Sequence, residues 1–478
     1  MSVLGISVLL YLVAMIPISF YAARFVRTST DYVLAGRNLP FYMALATVFA
    51  TWLGSESILG ASSEMAEGGF LAVMQDPFGA GLCLILIGLF FARKLYALKH
   101  LTIGDYFRDR YNKTVAMLLS IAITVTYFGW VAAQFVALGI VMQFVFGMSL
   151  TTGILIAAGI VVIYTYIGGM WSVAIHDLVQ TIIIVIGLVA IFISVLMEVG
   201  GLSAIITATP PEFFNLTPQE HTAKEWLALL AALMTIGLGS IPQQDVYQRA
   251  MSAKSASISM WASILGGVLY FTVVLIPLFL GLAARMLYPE LIENGDSQLL
   301  IPTLVNEHTG LFIQVLFYGA LLSAIMSTAS AAILAPATLV AENIVRPFFP
   351  NLSDERLLKL IKGSVLTVAA GAILLAIKQG NIYDLVGSAY SITLVSAFVP
   401  LAAGLYWKKA NNLGAVLAMF LGALAWQYAE HFGAEEAVVP SIIIGFLASI
   451  AGMIIGVLIE RSFRTNKETP KEPLPASL

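Results

Sequence analysis

Long apolar stretches separated by short polar breaks run along almost the whole chain. About 20 apolar residues suffice for one helix to cross a bilayer, so these stretches predict an all-α integral membrane protein. We predict thirteen transmembrane helices, at 3–25, 41–67, 73–95, 114–146, 150–168, 175–198, 226–247, 257–287, 311–341, 357–377, 382–406, 413–432 and 438–460. The span at 114–146 is long enough to be either one strongly tilted helix or two segments.

The positions of lysine and arginine predict the orientation of these spans. With the N-terminus outside, all but three of the 24 cations fall in connections on the inner side, the exceptions being Lys224, Arg285 and Lys378. An excess of positive charge in cytoplasmic loops is the usual determinant of topology. One missed span would exchange the sides of every later loop, so the distribution supports the predicted count. We therefore expect a multi-pass plasma-membrane protein with an outer N-terminus and a cytoplasmic C-terminus.

Composition removes several classes of protein from consideration. Of the 478 residues, 59% are hydrophobic and 11% are charged, against roughly 25% charged in soluble domains. The net charge of -3 provides no basic face for nucleic acid, so we expect membrane lipid and small solutes as partners. The single Cys83 cannot form an intramolecular disulfide, and the five histidines are scattered without a catalytic constellation. We therefore predict that the chain is not an enzyme.

The predicted spans divide into two inverted repeats. The second to sixth spans start on the inner side and the seventh to eleventh start on the outer side, which gives the five-plus-five arrangement found in secondary transporters. The predicted units are a first helix and inner loop (1–40), repeat 1 (41–198), an outer loop (199–225), repeat 2 (226–406), two accessory helices (407–465) and a disordered cytoplasmic tail (466–478).

The first helix of each repeat contains an interruption. Residues 50–57 read ATWLGSES and residues 236–245 read IGLGSIPQQD, so glycine, proline and polar residues interrupt apolar spans. Unwound backbone at membrane depth is tolerated only where it lines a cavity or is buried in protein. Kinked packing would explain either break alone. Breaks at matching positions of two inverted repeats favour a transport site.

One serine-rich helix carries candidate cation ligands. Ala324, Ser327 and Thr328 are spaced i, i+3, i+4 and share a helix face, where two hydroxyls and a carbonyl could face carbonyls released around Ala50 and Leu53. Sodium prefers such hard oxygen ligands. The alternative is that these hydroxyls bond to the preceding turn or join neighbouring helices.

The residues resemble a known family. The matching segments are LAGR at 34–37, GGMWSV at 168–173 with Asp177 and Gln180, QDVYQR at 244–249, and SAIMSTAS at 323–330. Together they look like the sodium/solute symporter family over about residues 30 to 410. Four further segments are most similar to its high-affinity choline transporter branch: TWLG at 51–54, QDPFG at 75–79, LFFA at 89–92 and Ile241-Pro242.

The resemblance implies alternating access in a five-plus-five core, with Na⁺ as the coupling ion. It places the family's common sodium site on the carbonyls of Ala50, Leu53 and Ala324 and the hydroxyls of Ser327 and Thr328. A second sodium site found in some members would use Asp177 and Ser330, although Ala331 lacks the expected hydroxyl. From the residues alone, Asp177 could instead be the N-cap of its helix.

The same resemblance implies an aromatic cage for an ammonium group, with Trp52 and Trp130 at matching positions. Aromatic faces attract quaternary ammonium ions, although membrane tryptophans also serve as packing or interface residues. Gln243 occupies a third cage position, which suggests a ligand with hydrogen-bonding groups in place of one methyl face.

Glu56, Ser57 and Gln75 complete the candidate substrate-binding set. A carboxylate at mid-membrane is a functional candidate by default, with a structural polar network as the alternative. Asp245 and Arg249, at i and i+4, could form an inner-gate ion pair or a local surface pair.

These predictions define a sodium-coupled symporter that imports a small organic solute, either a quaternary amine or an amino-acid-like compound. The alternatives are a symporter for another polar solute, such as a proline-like amino acid, a sugar or a carboxylate, or a passive channel, or a membrane sensor that transports nothing. The sequence specifies neither the oligomeric state nor the number of sodium ions per cycle.

Overall fold

The computed structural model describes residues 2–349, 351–378, 382, 390–433 and 437–467. Throughout these ranges the chain is helical, with one isolated parallel bridge between Leu39 and Ala253 as its β feature. The helices of the apolar stretches are α1 (Val3–Ala23), α2 (Phe41–Trp52), α3 (Glu56–Gly68), α4 (Met74–Leu98), α5 (Lys113–Phe146), α6 (Leu150–Val199), α7 (Ala223–Gly239), α8 (Gln244–Ser252), α9 (Ala256–Leu287), α10 (Leu311–Phe348), α11 (Asp354–Lys378), α12 (Tyr390–Tyr406), α13 (Asn412–Phe432) and α14 (Ser441–Lys467). Shorter helices cover Ser29–Leu34, Ile103–Arg110, Leu202–Ala208, Pro289–Glu293 and Leu300–His308.

Helix starts follow local capping chemistry. Thr28, Thr102 and Thr222 each accept a hydrogen bond from the backbone N–H three residues later, and the acidic residue there bonds back to the threonine backbone. Such capping boxes satisfy N–H groups that the first helical turn leaves without partners. The polar breaks between apolar runs therefore act as helix starts as well as loops.

The number of spans in the described part of the chain approaches the predicted number. Nine helices there are long and apolar enough to cross a membrane, and the bent pairs α2/α3 and α7/α8 raise that number to eleven. Helix α5 is one continuous helix of 34 residues, so the predicted span at 114–146 is not two segments. The predicted span at 382–406 falls partly outside the described residues. Thirteen spans and the inverted repeat therefore stay predictions.

Two predicted spans, 150–168 and 175–198, lie within the 50 residues of α6. A straight helix of this length would be roughly 75 Å long, more than twice the hydrocarbon core, so the chain has to bend within it. Gly169 interrupts it with φ 52° and ψ −145°, a conformation that favours glycine. A Cβ at this position would also lie 2.5 Å from the Tyr32 carbonyl oxygen. Gly169 therefore separates the two predicted spans. We expected a connection over residues 169–174, but the chain is helical again from residue 170.

Helix α14 also corrects a predicted boundary. We expected a disordered tail from residue 466, but the helix continues to Lys467. The rest of the predicted tail lies outside the described residues.

Helix α10 lies at the centre of the molecule. It packs along α6 and also contacts α5 and α2, and every residue from Ala320 to Leu339 is buried. Helices α13 and α14 pack mainly against each other. The outer face of α6 exposes a stripe of Ile182, Ile186, Ile193 and Met197, each more than half exposed. Such a surface suits contact with lipid and would be unfavourable in water.

Candidate functional site

The break between α2 and α3 creates the floor of the candidate site. The two helices are bent by 54°, and Leu53 leaves the helical region with φ −91° and ψ 73°. The backbone N–H of Ser55 donates to Gln134 Oε1 on α5 at 3.0 Å. A buried side-chain amide thus satisfies a donor that the broken helix leaves free. The expected interruption of this span is therefore present, and α5 stabilises it.

Thr328 of α10 contacts the backbone of this broken span. Its hydroxyl oxygen lies 3.4 Å from the Ala50 carbonyl oxygen and donates to the Thr51 carbonyl at 2.9 Å. Two oxygens that are each about 2.4 Å from one hard cation lie at such separations. Leu53 and Ala324, the other expected carbonyl ligands, are fully buried. The Thr328 hydroxyl and the carbonyls of Ala50 and Thr51 thus lie close enough together to contact one cation between α2 and α10.

Gly54 allows this close approach between the broken span and α10. A Cβ at position 54 would lie 2.9 Å from Thr328 Oγ1 and 2.6 Å from Glu56 Oε2. Contacts under 3.0 Å are repulsive, so any larger residue must displace one of these side chains. The Thr328 hydroxyl and the Glu56 carboxylate therefore share the space beside Gly54.

A second polar cluster surrounds Asp177 on α6. Ser327 of α10 donates to Asp177 Oδ1, and Thr47 of α2 donates to Oδ2. The Ser327 hydroxyl is thus directed to Asp177, while Ser330 donates to the Ser327 carbonyl at 2.9 Å. Asp177 lies well inside the helical segment that follows Gly169, so the N-cap alternative for this residue is wrong. The cluster joins three helices around one buried carboxylate.

Four aromatic rings form a wall above the α2/α3 break. Trp52 stacks on Tyr390 at 6.4 Å between ring centroids, and Trp130 meets the same tyrosine edge-on at 6.1 Å. Tyr127 lies 5.8 Å from Trp130. All four rings are buried, so a solute reaches them only when helices separate. The two predicted tryptophans therefore come together, and Tyr390 of α12 joins them.

Glu56 lies beside this wall and is held entirely by neutral groups. Trp130 Nε1 donates to Oε1 at 2.9 Å, and Gln134 Nε2 donates to Oε2 at 2.7 Å. Ser55 Oγ lies 3.4 Å from Oε2. Among the residues that the structure describes, no cation lies within 4.0 Å of Glu56.

Asp76 is a second buried carboxylate at the same depth. Tyr270 of α9 donates to Asp76 Oδ1 at 2.8 Å, and Ser57 Oγ lies 3.4 Å from Oδ2. The two hydroxyls are themselves 2.6 Å apart. Ser57 thus joins the site as expected, whereas the neighbouring candidate Gln75 is only half-buried.

The second break, between α7 and α8, bends the chain by 53°. Gln243 is the N-cap residue immediately before α8. Its Nε2 donates to Thr126 Oγ1 at 3.2 Å and to Thr393 Oγ1 at 3.4 Å. Gln243 Oε1 is buried without a partner. Gln243 therefore lies against α12, because it bonds to Thr393 of that helix. The Thr393 hydroxyl in turn donates to the carbonyl of Tyr390 at 3.0 Å.

Asp245 and Arg249 are both buried, at 1% and 2% exposed, so the surface-pair alternative is wrong. Their side chains do not form an ion pair within 4.0 Å in the described part of the chain. Arg249 Nε donates to the Thr51 hydroxyl, and Nη1 donates to the Asp245 carbonyl at 2.8 Å. Asp245 Oδ1 accepts from Tyr127, while Oδ2 has no partner. The guanidinium therefore connects the two broken spans.

Several residues of the site were not predicted from the sequence: Thr47, Asp76, Gln134, Tyr270 and Tyr390. Each contacts a predicted residue through tertiary packing. For four of the five, the position in the sequence gave no signal. Asp76 was the exception, since a carboxylate inside a predicted apolar span is itself a functional signal.

Paired broken helices around a buried polar centre are typical of secondary transporters. The comparisons with known proteins agree. The family model for the sodium:solute symporter family matches residues 32–422. The chain belongs to this family, and it is a multi-pass membrane transporter rather than an enzyme.

Three relatives show the range of the likeness. The chain is 30% identical over 486 residues to the osmoregulated proline transporter OpuE of Bacillus subtilis (strain 168), covering 95% of each protein. It is 27% identical over 405 residues to the human high affinity choline transporter 1, covering 81% of this chain and 69% of the relative. A solved structure of a Na⁺-coupled sialic acid symporter in a substrate-bound outward-open state superposes with a TM-score of 0.81 at 20% identity, covering 96% and 98% of the two chains. At this identity the last comparison shows the shared fold.

Proposed function

We propose that the protein is a sodium-coupled symporter that imports a small organic solute by alternating access. Its core would be the predicted five-plus-five inverted repeat, with the broken spans α2/α3 and α7/α8 as the first helix of each repeat. The observation that carries this proposal is the contact of Thr328 with the Ala50 and Thr51 carbonyls. This contact supports the proposal because the hydroxyl and the broken backbone would belong to different repeats.

The coupling sodium would bind to the carbonyls of Ala50, Leu53 and Ala324 and to the hydroxyls of Ser327 and Thr328. An ion there bridges α2 to α10 and stabilises the arrangement in which the aromatic wall faces the solute path. Ser327 would then turn from Asp177, or keep donating to it while a lone pair of the hydroxyl oxygen faces the ion. Release of the ion removes the bridge and lets the two helices separate.

The solute would bind between the aromatic wall and the polar groups of both breaks. Trp52 and Trp130 offer aromatic faces, and Glu56, Ser57 and Gln243 offer hydrogen bonds. This combination suits an organic nitrogen compound, either a quaternary amine or an amino-acid-like solute. Gln75 would lie at the edge of this path.

Coupling between the two sites follows from their proximity. Glu56 Oε2 shares the space beside Gly54 with Thr328 Oγ1, so sodium at Thr328 lies next to the Glu56 carboxylate. A charge at this distance in a buried site acts strongly on its neighbour. Sodium binding would therefore stabilise the ionised Glu56 that faces the solute.

The driving force is sufficient for substantial accumulation. One sodium ion crossing about 100 mV releases roughly 2.3 kcal/mol, and a tenfold concentration gradient adds about 1.4 kcal/mol. Together they would support about 500-fold accumulation of a neutral solute. A second ion, held by Asp177 and Ser330 with Thr47, would square this factor.

The test replaces Thr328 with alanine and measures sodium-dependent thermal stability of the purified protein, with potassium keeping the ionic strength constant. Loss of one oxygen ligand should raise the half-saturating sodium concentration about tenfold or more, since hydrogen-bond-type contacts to a charge contribute about 1.5–3 kcal/mol. Thr165→Ala is the matched control, because Thr165 is buried and its hydroxyl bonds only within its own helix, to the Val161 carbonyl at 2.8 Å.

An unchanged sodium response in Thr328→Ala would refute the assignment of the ion site. Uptake into proteoliposomes, with and without a sodium gradient, then tests symport itself. Counterflow of labelled solute separates a carrier from a passive pore, because a pore shows no trans-stimulation.

A further inference from the structure

Buried carboxylates outnumber buried cations around the aromatic wall. Glu56, Asp76 and Asp245 are 4%, 3% and 1% exposed, and Trp130 and Tyr127 of the wall donate to Glu56 and Asp245. Among the residues that the structure describes, Arg249 is the cation that contacts this part of the site. An uncompensated carboxylate is costly to bury, so a cationic solute would be stabilised in this site.

The hydrogen bonds of Glu56 come from neutral groups and leave its charge uncompensated when it is ionised. Gln134 Oε1 accepts from the Ser55 backbone N–H, which can only donate, so Gln134 Nε2 must be the group that faces Glu56. Trp130 Nε1 is likewise a donor only. One N–H group on each carboxylate oxygen is the pattern that an anion accepts, and neither donor supplies charge.

Of the three carboxylates near the wall, Asp76 is the one left for the solute. Arg249 compensates Asp245, whose backbone carbonyl it already binds. The coupling sodium, if it binds beside Gly54 as proposed above, compensates Glu56. Asp76 then has only the hydroxyls of Tyr270 and Ser57 as partners. A solute with a net charge of about +1 would balance the site.

The free hydrogen-bonding groups of the site define the type of cation. Gln243 Oε1 and Asp245 Oδ2 are buried acceptors without a partner, and the carboxylates of Glu56 and Asp76 can accept further bonds. A quaternary ammonium has no N–H to offer to these acceptors. A protonated amine or a guanidinium offers several, and its alkyl chain or flat face packs on Trp52 or Trp130.

We propose that the solute is an organic monocation whose charged nitrogen carries N–H groups, a primary or secondary amine or a guanidinium, and that it bears no carboxylate. This inference rests on the proposed sodium symport and narrows its solute class. A zwitterion such as proline would bring no net charge and would place an anion among three carboxylates. Choline would bring the charge, but its single hydroxyl would leave most of the free acceptors without partners.

The first experiment measures thermal shifts of the purified full-length protein with n-butylamine, butylguanidine, choline, proline and glucose, each in sodium chloride and in potassium chloride. We expect stabilisation by the first two compounds in sodium and little or none in potassium. Stabilisation by choline, proline or glucose with no response to either N–H cation would overturn the inference, while its sodium dependence would still support symport. Sodium-independent responses, or no response to any compound together with no sodium-induced shift, would count against both the inference and the proposed function.

The second experiment removes the charge of Asp76 with Asp76→Asn and measures the half-saturating concentration of n-butylamine. We expect at least a tenfold increase, with the sodium-induced thermal shift retained as evidence that the variant folds. Glu67→Gln is the matched control, since Glu67 is an exposed carboxylate on α3, the same broken span as Glu56. If Asp76→Asn folds and binds n-butylamine as the wild type does, the electrostatic basis of the inference is wrong. If Asp76→Asn does not fold, Glu56→Gln replaces it; a cooperative melting transition then shows that this variant folds, because sodium lies next to Glu56, and unchanged binding of n-butylamine would again contradict the inference.

Discussion

The close approach at Gly54 allows a sharp test of the sodium site. In Gly54→Ala the new methyl group would lie 2.9 Å from Thr328 Oγ1, 3.0 Å from Thr328 Cγ2 and 2.6 Å from Glu56 Oε2. Thr328 is fully buried and β-branched, so it has little freedom to rotate away. Glu56 is held by Trp130 and Gln134. The methyl group must therefore displace Thr328 or Glu56, and either shift moves an oxygen beside the proposed ion.

The expected magnitude follows from the cost of overpacking. Adding one methyl group to a well-packed site typically costs about 1–3 kcal/mol. If about 2 kcal/mol of this strain acts on the sodium-bound arrangement, sodium affinity falls about 30-fold. No gain in helix propensity offsets it, since residue 54 lies in the break between α2 and α3.

The assay is a sodium titration of thermal stability at constant ionic strength, with potassium as the replacing ion. A ligand that binds only the folded state stabilises it by RT ln(1 + [L]/Kd). A weaker site has a higher Kd, so the stabilisation curve shifts to higher sodium concentration. Gly319→Ala is the matched control on α10. Its methyl group would meet only Ile183 Cγ2, at 3.9 Å, and the sodium response should be that of the wild type. A Gly54→Ala protein that titrates with sodium like the control would refute the assignment of this site.

Three further changes test other parts of the site. Trp130→Phe keeps an aromatic ring but removes the donor to Glu56, so we expect about tenfold weaker solute binding in ligand-induced thermal shifts, with sodium affinity within about threefold of wild type. Asp177→Asn should lower the Hill coefficient of sodium-dependent stabilisation or uptake towards one if this carboxylate holds a second ion. Gly281→Ala should destabilise the protein by more than about 1–3 kcal/mol, seen as a lower melting temperature, because its methyl group would lie 2.3 Å from the Ser62 carbonyl oxygen.

Each of these changes has a matched control in the same chain. Trp226→Phe alters a tryptophan that is 44% exposed. Glu198→Gln removes a half-exposed carboxylate from α6, the helix of Asp177. Gly319→Ala again provides a methyl group in ordinary contact. If a change and its control have equal effects, the role assigned to the changed residue of the site is wrong.

The sequence predicted the elements of this fold well because bilayer spans depend on a local property. An apolar run of sufficient length must form a helix in lipid, wherever the rest of the chain lies. Glycine and proline at 236–245 and the polar run at 50–57 likewise weaken a helix locally, so both breaks were visible. The break at Gly169 also has a local cause, but the contact with Tyr32 that requires glycine there depends on tertiary packing.

The polar partners of the site could not be predicted in the same way. Gln134 is 78 positions from Glu56, and Tyr270 is 194 positions from Asp76. No periodicity relates such residues, because their contact depends on how α5 and α9 pack on the broken span. Tyr390 illustrates the same limit, since its ring reaches Trp52 and Trp130 from a different helix. Spacing predicts which residues share a face, and packing decides what that face meets.

Thr51 shows how the two broken spans could move together. Its carbonyl accepts from Thr328 of α10, while its hydroxyl accepts from Arg249 of α8. The same hydroxyl donates to the Thr47 carbonyl at 2.7 Å, and Thr47 in turn donates to Asp177. A shift of Thr328 on sodium release would therefore disturb the contact of Arg249, and through it the second break. Because Thr51 contacts both broken spans and reaches Asp177 through Thr47, release of the proposed ion would need no long pathway to loosen the second break.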